Sequence, residues 1–451
     1  MRPIRIRAFK MLQFSRLIGV RETGTLSKNG ASLKSHMSKG NFLRKTCFAL
    51  LVASIIFGGG NNVEAQTVIK NDSIKPYINF LENNTFLSAK EYILSKFETN
   101  DIVILSERFH QDMSQYDVIL DVVKDERFKG HIYTEIGHVN LSEKFNAFLL
   151  NSTFTKEEKE RELLNIYRDL CPTLVWGAYN YYHMLNEVWE INKNREKEDK
   201  ILIFPTDIPF DYNDIQTHRE WSILYYKFFN GGFRDQVMGM NFVESYEKVK
   251  KEKGKALVIL NTTHGYKRYP TWLPLPTRPL IRCAGEFINK ACPDKTFNIY
   301  INCCNLDNFK LSNDGIIDAA FEYTKKDNIG FDLKDTPVGN SKFDLYFMYA
   351  FAAGNYDANI NYDYIFDGMI FYKPLREMVI KVGIPNIYSE EYNDMFLKRV
   401  ALILNKTLEN DKEFIDKALE EVNNLVEETP DQYLGTGIES SWDSQIKKWI
   451  E

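Results

Sequence analysis

The chain has 451 residues, with 57 Lys and Arg against 62 Asp and Glu, and a net charge of −5 at pH 7. Residues 1–65 contain 11 of the basic and 2 of the acidic side chains, so the rest of the chain carries 46 basic and 60 acidic side chains, a net charge of −14. An acidic chain without a basic stripe is a poor candidate for binding nucleic acid or an anionic membrane. We therefore expect a small molecule as its partner.

Residues 1–65 have the pattern of an export signal preceded by a basic extension, residues 1–36. The signal consists of a positive region that ends at Lys45, an apolar core at residues 47–57 (CFALLVASIIF) and a small-residue cleavage site at residues 63–65 (VEA). The apolar core is too short to anchor a protein stably in a membrane. The pattern predicts an exported protein, periplasmic or secreted, with no stable membrane insertion.

The remaining residues, 66–451, fit a single α/β domain with insertions and a C-terminal helical region. Five Cys lie in this part of the chain, an odd number that allows at most two disulfides within it. Cys283 and Cys292 form the expected pair because they flank a short helical stretch. Buried thiols on a core strand are the alternative for Cys303 and Cys304.

Apolar spacing and capping signals predict the helices. In chain order they cover residues 88–97, 115–126, 142–150, 155–170, 173–194, 214–229 and 235–253, with further helices over 390–427. Six apolar runs predict strands at residues 101–105, 131–134, 200–204, 256–260, 297–302 and 364–372. Because helices separate the first four strands, we expect an α/β fold whose mostly parallel central sheet has helices on both faces and a helical appendage.

Each of the first four strands leads at its carboxyl end into an acid or a histidine. These residues are Glu107 and His110, Glu135, Asp207 and His264. In a parallel sheet, ligands bind at the carboxyl ends of the strands, so one polar pocket can collect all five side chains. A core that needed only packing would have no use for acids and histidines at the same end of every strand. We therefore predict an active site.

Two further segments are expected on the same rim of the sheet. Arg234 lies at the start of a helix, and in a strand-helix-strand unit each helix begins where the preceding strand ended. A cation therefore joins the acids of the pocket. Residues 270–279 (PTWLPLPTRP) follow the fourth strand, and their Pro content excludes a regular helix or a central strand. We expect a loop there, either a lid over the pocket or an extended connector.

Several motifs, in this order along the chain, resemble the erythromycin esterase family. They are residues 103–110 (VILSERFH), a strand ending at Glu135, Trp176 on a long helix, Arg234-Asp235-Gln236-Val237-Met238 with Asn241 after it, residues 261–264 (NTTH), and residues 366–371 (FDGMIF) in the last strand. The family pattern is Gly-Glu-x-x-His after a strand, a strand ending in Glu, Arg-Asp-x-x-Met-x-x-Asn on a helix, and a strand ending in His-Asn-x-His. The resemblance spans most of residues 101–268.

The resemblance implies a hydrolase that opens an ester or a lactone without a cofactor. By the same resemblance, His110 is the general base that activates water, and Glu107 and Glu135 hold the base and the water. Arg234 and His264 would stabilise the developing oxyanion or position the substrate. The chemistry is consistent, because an imidazole titrates near neutral pH and a neighbouring carboxylate keeps it basic. The sequence has no Gly-x-Ser-x-Gly motif, which disfavours a serine esterase.

Two residues depart from the family motifs: Ser106 stands in the place of Gly, and Asn261 in the place of the first His of the last motif. Asn donates hydrogen bonds but does not titrate, so we do not expect erythromycin as the substrate. Asn261, Asp207 and Trp176 are the predicted substrate-binding residues. Asp207 and Trp176 also have structural interpretations, a strand end and a core anchor, and Asp235 is expected to be a helix N-cap.

Two other classes of function remain open. Four side chains form an N/O ligand set for a divalent metal: Glu107, His110, Glu135 and His264. They would suit a metal-dependent hydrolase or protease, or a haem-binding protein, although Arg234 would repel a metal unless a carboxylate paired with it. The third class is a non-catalytic small-molecule-binding protein, which the two departures from the family motifs favour.

Overall fold

The computed structural model describes residues 71–170, 178–229, 233–268, 283–306, 308–345, 359–408 and 411–451. Several sequence predictions lie outside these residues: the export signal and its cleavage site, Cys171, Trp176 and the Pro-rich segment 270–279.

The described residues form an α/β fold around an eight-stranded sheet, as predicted. Its strands are β1 (Leu87–Ser88), β2 (Ile102–Glu107), β3 (Gly130–His138), β4 (Ile203–Asp207), β5 (Lys255–Asn261), β6 (Thr296–Ile301), β7 (Ile329–Asp332) and β8 (Gly368–Phe371). Their order in the sheet is β1-β7-β8-β6-β2-β5-β3-β4. β7 pairs antiparallel with β1 and with β8, and all other neighbours are parallel. A separate small sheet pairs β9 (Ile380–Val382) with β10 (Val426–Glu428).

Helices surround the sheet. Those of the described residues are α1 (Lys75–Asn83), α2 (Ala89–Thr99), α3 (Ser114–Lys124), α4 (Ser142–Leu150), α5 (Lys156–Leu170), α6 (Tyr179–Lys193), α7 (His218–Phe229), α8 (Arg234–Val249), α9 (Ala284–Ala291), α10 (Ile316–Thr324), α11 (Tyr362–Ile365), α12 (Asn393–Leu404), α13 (Lys412–Asn423), α14 (Pro430–Leu434) and α15 (Ile438–Ile450). Within the part of the chain that the structure describes, no helix combines the length and the apolarity needed to cross a bilayer.

The central strands are buried on both faces. Val103 and Leu105 of β2 pack into a core with α3, α4 and α6, whereas Ile102 and Ile104 pack into a second core with α8 and α9. This burial explains why the strands are continuous apolar runs in the sequence. The C-terminal helices α12 and α13 extend the first core, and α15 packs into a third core with β7, β8 and α10.

Most predicted elements are present, with shifted ends. The helix predicted from residue 155 begins at Lys156, and Thr155 and Glu158 form the expected reciprocal cap: the Thr155 N–H donates to Oε2 of Glu158 at 2.9 Å, and the Glu158 N–H to Oγ1 of Thr155 at 3.2 Å. The strand prediction for residues 364–372 was too long. Residues 362–365 form α11 because the Phe366 N–H donates to the Tyr362 carbonyl and closes a helical turn. A short apolar run does not distinguish these two conformations.

The expected disulfide was wrong. Cys283 and Cys292 are both free, buried thiols. They flank α9 at its two ends. A step of nine positions along the helix separates them by about 13 Å at 1.5 Å per residue, whereas bridged Cys have Cα atoms no more than about 7 Å apart. Cys303 and Cys304 are also free and buried, as the alternative predicted.

Candidate active site

The order of strands in the sheet assembles the site. β2, β5, β3 and β4 are consecutive neighbours and all parallel, so their carboxyl ends lie along one edge. Glu107 ends β2, Asp207 ends β4 and Asn261 ends β5. Glu135 lies within β3, where the pairing with β4 shifts register between Thr134 and His138. Such irregularities re-aim side chains at the ends of strands.

His110 and Glu107 form a buried pair. Nδ1 of His110 hydrogen-bonds Oε1 of Glu107, and the two residues are three positions apart at the end of β2. The side chain of Glu107 is 1% exposed and that of His110 is 12% exposed, so the imidazole is the more solvent-accessible member of the pair. The Asn180 side chain also donates to the His110 carbonyl, which fixes the backbone beneath the ring.

Two tyrosines complete the surroundings of Glu107. The Tyr116 hydroxyl donates to Oε2 of Glu107 at 3.0 Å, and the Tyr181 hydroxyl donates to Oε1 at 3.1 Å. The Tyr181 oxygen is also 2.8 Å from Nδ1 of His110. Burial, followed by the charge of Glu107, raises the pKa of both tyrosines well above the usual value, so both hydroxyls keep their protons. Both oxygens of Glu107 therefore have fixed hydrogen-bond donors.

Glu135 lies between the two histidines. Its Oε1 atom is 3.9 Å from Nε2 of His110 and 3.4 Å from Nε2 of His264. The same oxygen accepts a hydrogen bond from Nη2 of Arg234 at 2.9 Å, and Oε2 accepts one from the Asn261 backbone N–H at 2.9 Å. The Glu135 side chain is 1% exposed, so these neighbours replace its contact with water.

Arg234 contacts Glu135 and also forms an ion pair with Asp207. The guanidinium meets the carboxylate at two points, Nε to Oδ1 and Nη2 to Oδ2, each at 2.9 Å. Nη1 of Arg234 is 3.3 Å from Nε2 of His264. Oδ1 of Asp207 also accepts the Ile208 N–H at 2.8 Å, so this acid shapes the turn after β4 as well as pairing with Arg234.

His264 has its own carboxylate partner, Asp235. Nδ1 of His264 is 2.6 Å from Oδ1 of Asp235, which also accepts the Ala284 N–H at 3.0 Å. The expected N-cap at Asp235 was wrong: α8 begins at Arg234, and Phe233 occupies the cap position without a side-chain cap. Asp235 thus connects the start of α8 with the loop after β5 and with the start of α9.

The charged groups shift one another's pKa values. Burial by itself raises the pKa of Glu135, but the neighbouring His264 and Arg234, with a smaller effect of His110 when that ring is protonated, outweigh burial and hold the pKa well below its usual value. Burial lowers the pKa of His264, but Asp235 and Glu135 outweigh it and raise the pKa above 6.5. Burial also lowers the pKa of Arg234, but Asp207 and Glu135 outweigh burial and raise that pKa above its usual value. The folded protein therefore favours an anionic Glu135 beside the cations of Arg234 and His264.

Ser106 and Asn261, the two residues that depart from the family motifs, are both buried. The Asn261 side chain is buried and donates to the Arg108 carbonyl at 3.0 Å, which ties the end of β5 to the segment that carries His110. Oγ of Ser106 is buried and has no hydrogen-bond partner among the described residues. Gly265 provides the space for it, because a Cβ at position 265 would lie 2.1 Å from that oxygen.

The structure brings together most of the predicted site residues: Glu107, His110, Glu135, Asp207, Arg234 and His264. Trp176 lies outside the described residues. The sequence prediction did not include Tyr116 and Tyr181, because nothing in the local pattern of a helix indicates that a tyrosine faces a carboxylate on another element. The position of Asp235 beside Arg234 in the motif indicates a place in the site, but an acid at the start of a helix equally predicts an N-cap.

Comparisons with known proteins add little to this geometry. No protein-family model matches the chain, and no curated protein matches it significantly. A crystal structure of a Bacillus cereus protein covers 66% of this chain and 96% of its own, at 12% identity and a TM-score of 0.42. The type III effector HopBA1 covers 50% of this chain and 86% of its own, at 13% identity and a TM-score of 0.30. At these values neither similarity assigns a family or a function, so membership in the erythromycin esterase family stays a prediction.

Proposed function

We propose that this protein is a hydrolase that opens an ester or lactone bond with water activated by His110. The observation that carries the proposal is the pairing of Nδ1 of His110 with Glu107, whose two oxygens also accept hydrogen bonds from Tyr181 and Tyr116. A carboxylate oxygen accepts, so Nδ1 carries the ring proton and the Nε2 lone pair is the basic one. The resemblance of the sequence motifs to the erythromycin esterase family agrees with this assignment.

The groups around His110 suit two steps of such a reaction, the activation of water and the stabilisation of the oxyanion. Nε2 of His110 is 3.9 Å from Oε1 of Glu135, a spacing that a water molecule bridges when it hydrogen-bonds to both atoms. That water loses a proton to Nε2 as its oxygen attacks the carbonyl carbon. Arg234 and His264 lie 2.9 and 3.4 Å from the same oxygen of Glu135, so their positive charge is close enough to stabilise the oxyanion that forms.

Hydrolysis of a panel of aryl esters and lactones by wild type and by His110→Ala tests the proposal. A positioned general base contributes about a hundred- to ten-thousand-fold, so His110→Ala should lose at least a hundredfold in kcat/KM. His183→Ala is the matched control, because His183 lies on α6 with its ring stacked on Tyr179 rather than in the site. Equal rates in wild type and His110→Ala would reject the hydrolase and leave a non-catalytic small-molecule-binding protein.

A metal-dependent hydrolase is the second candidate, and one observation favours it. One ligand atom each from Glu107, His110 and Glu135 lies within 4.8 Å of the other two, close enough to share a divalent cation. Against it, Oε1 of Glu135 already accepts from Arg234, and the oxygens of Glu107 accept from two tyrosines. A metal would have to displace these hydrogen bonds. Metal analysis of the purified protein, with activity measured before and after chelation, distinguishes the two candidates: chelator-resistant hydrolysis rejects the metal.

A further inference from the structure

The site contains a second histidine–carboxylate pair, His264 with Asp235. Like His110, His264 has its Nδ1 on a carboxylate oxygen, at 2.6 Å, but its Nε2 is closer to Oε1 of Glu135, at 3.4 Å against 3.9 Å for Nε2 of His110. Burial and the charge of Arg234, whose Nη1 lies 3.3 Å from Nε2, act to lower the pKa of His264, but Asp235 and Glu135 outweigh them and raise it above 6.5. The cation, with a proton on each nitrogen, is therefore favoured. The neighbours of His264 therefore suit a proton donor.

Asp235 is held in place from a third element. Its Oδ1 atom accepts the N–H of Ala284, the first residue of α9, and the amino end of a helix stabilises a negative charge. The side chains of His264 and Asp235 are 19% and 20% exposed, against 1% for Glu135. The pair of His264 and Asp235 is thus more accessible to solvent, and to a substrate, than Glu135 is.

We infer that His264 is the general acid of the proposed hydrolysis and that Asp235 is its positioning residue, an inference that rests on the proposed function. The water oxygen bonds to the carbonyl carbon while its proton moves to Nε2 of His110. The carbon–oxygen bond to the leaving group then breaks, and the electron pair stays on the leaving oxygen. The proton on Nε2 of His264 moves to that oxygen, so an alcohol leaves. His110 releases its proton to solvent, and His264 takes one up.

The basicity of the leaving group distinguishes a general acid at His264 from a residue that only stabilises the oxyanion. A nitrophenolate leaves without protonation, so its ester gains little from a general acid. A simple alkoxide is strongly basic, and its departure depends on proton transfer in the transition state. Stabilisation of the oxyanion on the carbonyl oxygen, in contrast, benefits both esters equally.

The experiment compares kcat/KM for a 4-nitrophenyl ester and for an alkyl ester of the same acid in wild type, His264→Gln and Asp235→Asn. We expect the loss in His264→Gln to be about a hundredfold larger for the alkyl ester than for the aryl ester, with a smaller difference of the same sign in Asp235→Asn. Glu244→Gln, an exposed acid on the same helix, should show no such difference.

Equal losses on both esters in His264→Gln would overturn the inference while leaving the proposed function intact, and they would assign His264 to oxyanion stabilisation or to structure. Wild type that hydrolyses neither ester in a His110-dependent manner would overturn the proposed function itself, and this inference with it. Circular dichroism of each variant measures folding separately, so the two losses are compared only in folded proteins.

Discussion

Arg234 and Asp207 meet edge to edge, with two nitrogen–oxygen distances of 2.9 Å, and both side chains are buried. A bidentate contact of this kind needs a planar guanidinium in a fixed orientation. It determines where Nη1 and Nη2 point, and these are the atoms that contact His264 and Glu135. The pair therefore positions the charges of the site.

Asp207→Asn should destabilise the protein strongly. The substitution leaves the guanidinium of Arg234 buried without its bidentate partner, and breaking a buried ion pair in this way costs about 3–5 kcal/mol. Urea unfolding measures the loss in the free energy of unfolding. Glu244→Gln is the control. Glu244 lies on α8, the helix of Arg234, and the substitution breaks only an exposed pair with Lys248, so the free energy of unfolding should stay unchanged. A loss in Asp207→Asn below about 1 kcal/mol would contradict the structural importance of the pair.

Tyr181→Phe should reduce catalysis without a comparable change in substrate binding. The substitution removes one hydroxyl that donates to Glu107, and a hydrogen bond to a charged group is worth about 1.5–3 kcal/mol. We expect kcat for a substrate found in the ester panel to fall about ten- to a hundredfold, with KM nearly constant. Tyr182→Phe is the control, since the Tyr182 ring packs against Tyr167 and Tyr179. Equal kinetics in the two variants would show that the Tyr181 hydroxyl does not contribute to catalysis.

The contact between Ser106 and Gly265 predicts a specific rescue. In Gly265→Ala the new Cβ would meet Oγ of Ser106 at 2.1 Å and its Cβ at 3.1 Å, so we expect a loss of about 1–3 kcal/mol in the free energy of unfolding. Adding Ser106→Gly removes both atoms and leaves the Cα at an ordinary 3.5 Å. The double variant should therefore be close in stability to Ser106→Gly alone.

Chemical unfolding of the four proteins in this double-mutant cycle gives the coupling between positions 106 and 265. Gly254→Ala is the control, because a Cβ there meets only a carbonyl oxygen at 3.4 Å. Additive losses in the double variant would show that the two positions do not clash.

His264 should make stability depend on pH above 6.5. Asp235 and Glu135 face the ring and raise its pKa above 6.5, against the opposing effects of burial and Arg234. The folded state then binds more protons than the unfolded state between 6.5 and the higher folded pKa, so the stabilisation is complete below 6.5 and lost as pH rises through the folded value.

Urea unfolding of wild type and His264→Gln across this pH range isolates the effect, since all other titrating groups are common to both proteins. The difference in their free energies of unfolding should shrink as pH rises. A difference that stays constant or grows would contradict the raised pKa.

The central sheet and the rim that carries the acids and histidines were predictable from the sequence. The reason is local: short apolar runs separated by helices predict parallel strands, and parallel strands place their carboxyl ends at one edge. Glu107, Glu135 and Asp207 follow from that rule alone, because each lies at or near the end of such a run. β1, β7, β9 and β10 were not predicted, since strands of two to four residues show too little periodicity.

The partners of each site residue were decided only by the tertiary structure. Tyr181 is 74 residues from Glu107, and Asp235 is 29 residues from His264, so no spacing in the sequence relates them. A local pattern equally allows Asp235 to cap its own helix, and only the approach of the loop after β5 directs its carboxylate to an imidazole. Hydrogen bonds between side chains depend on the packing of whole elements against one another. The sequence by itself therefore determined which residue types reach the rim, and the packing of α6, α8 and α9 around it determined which of them meet.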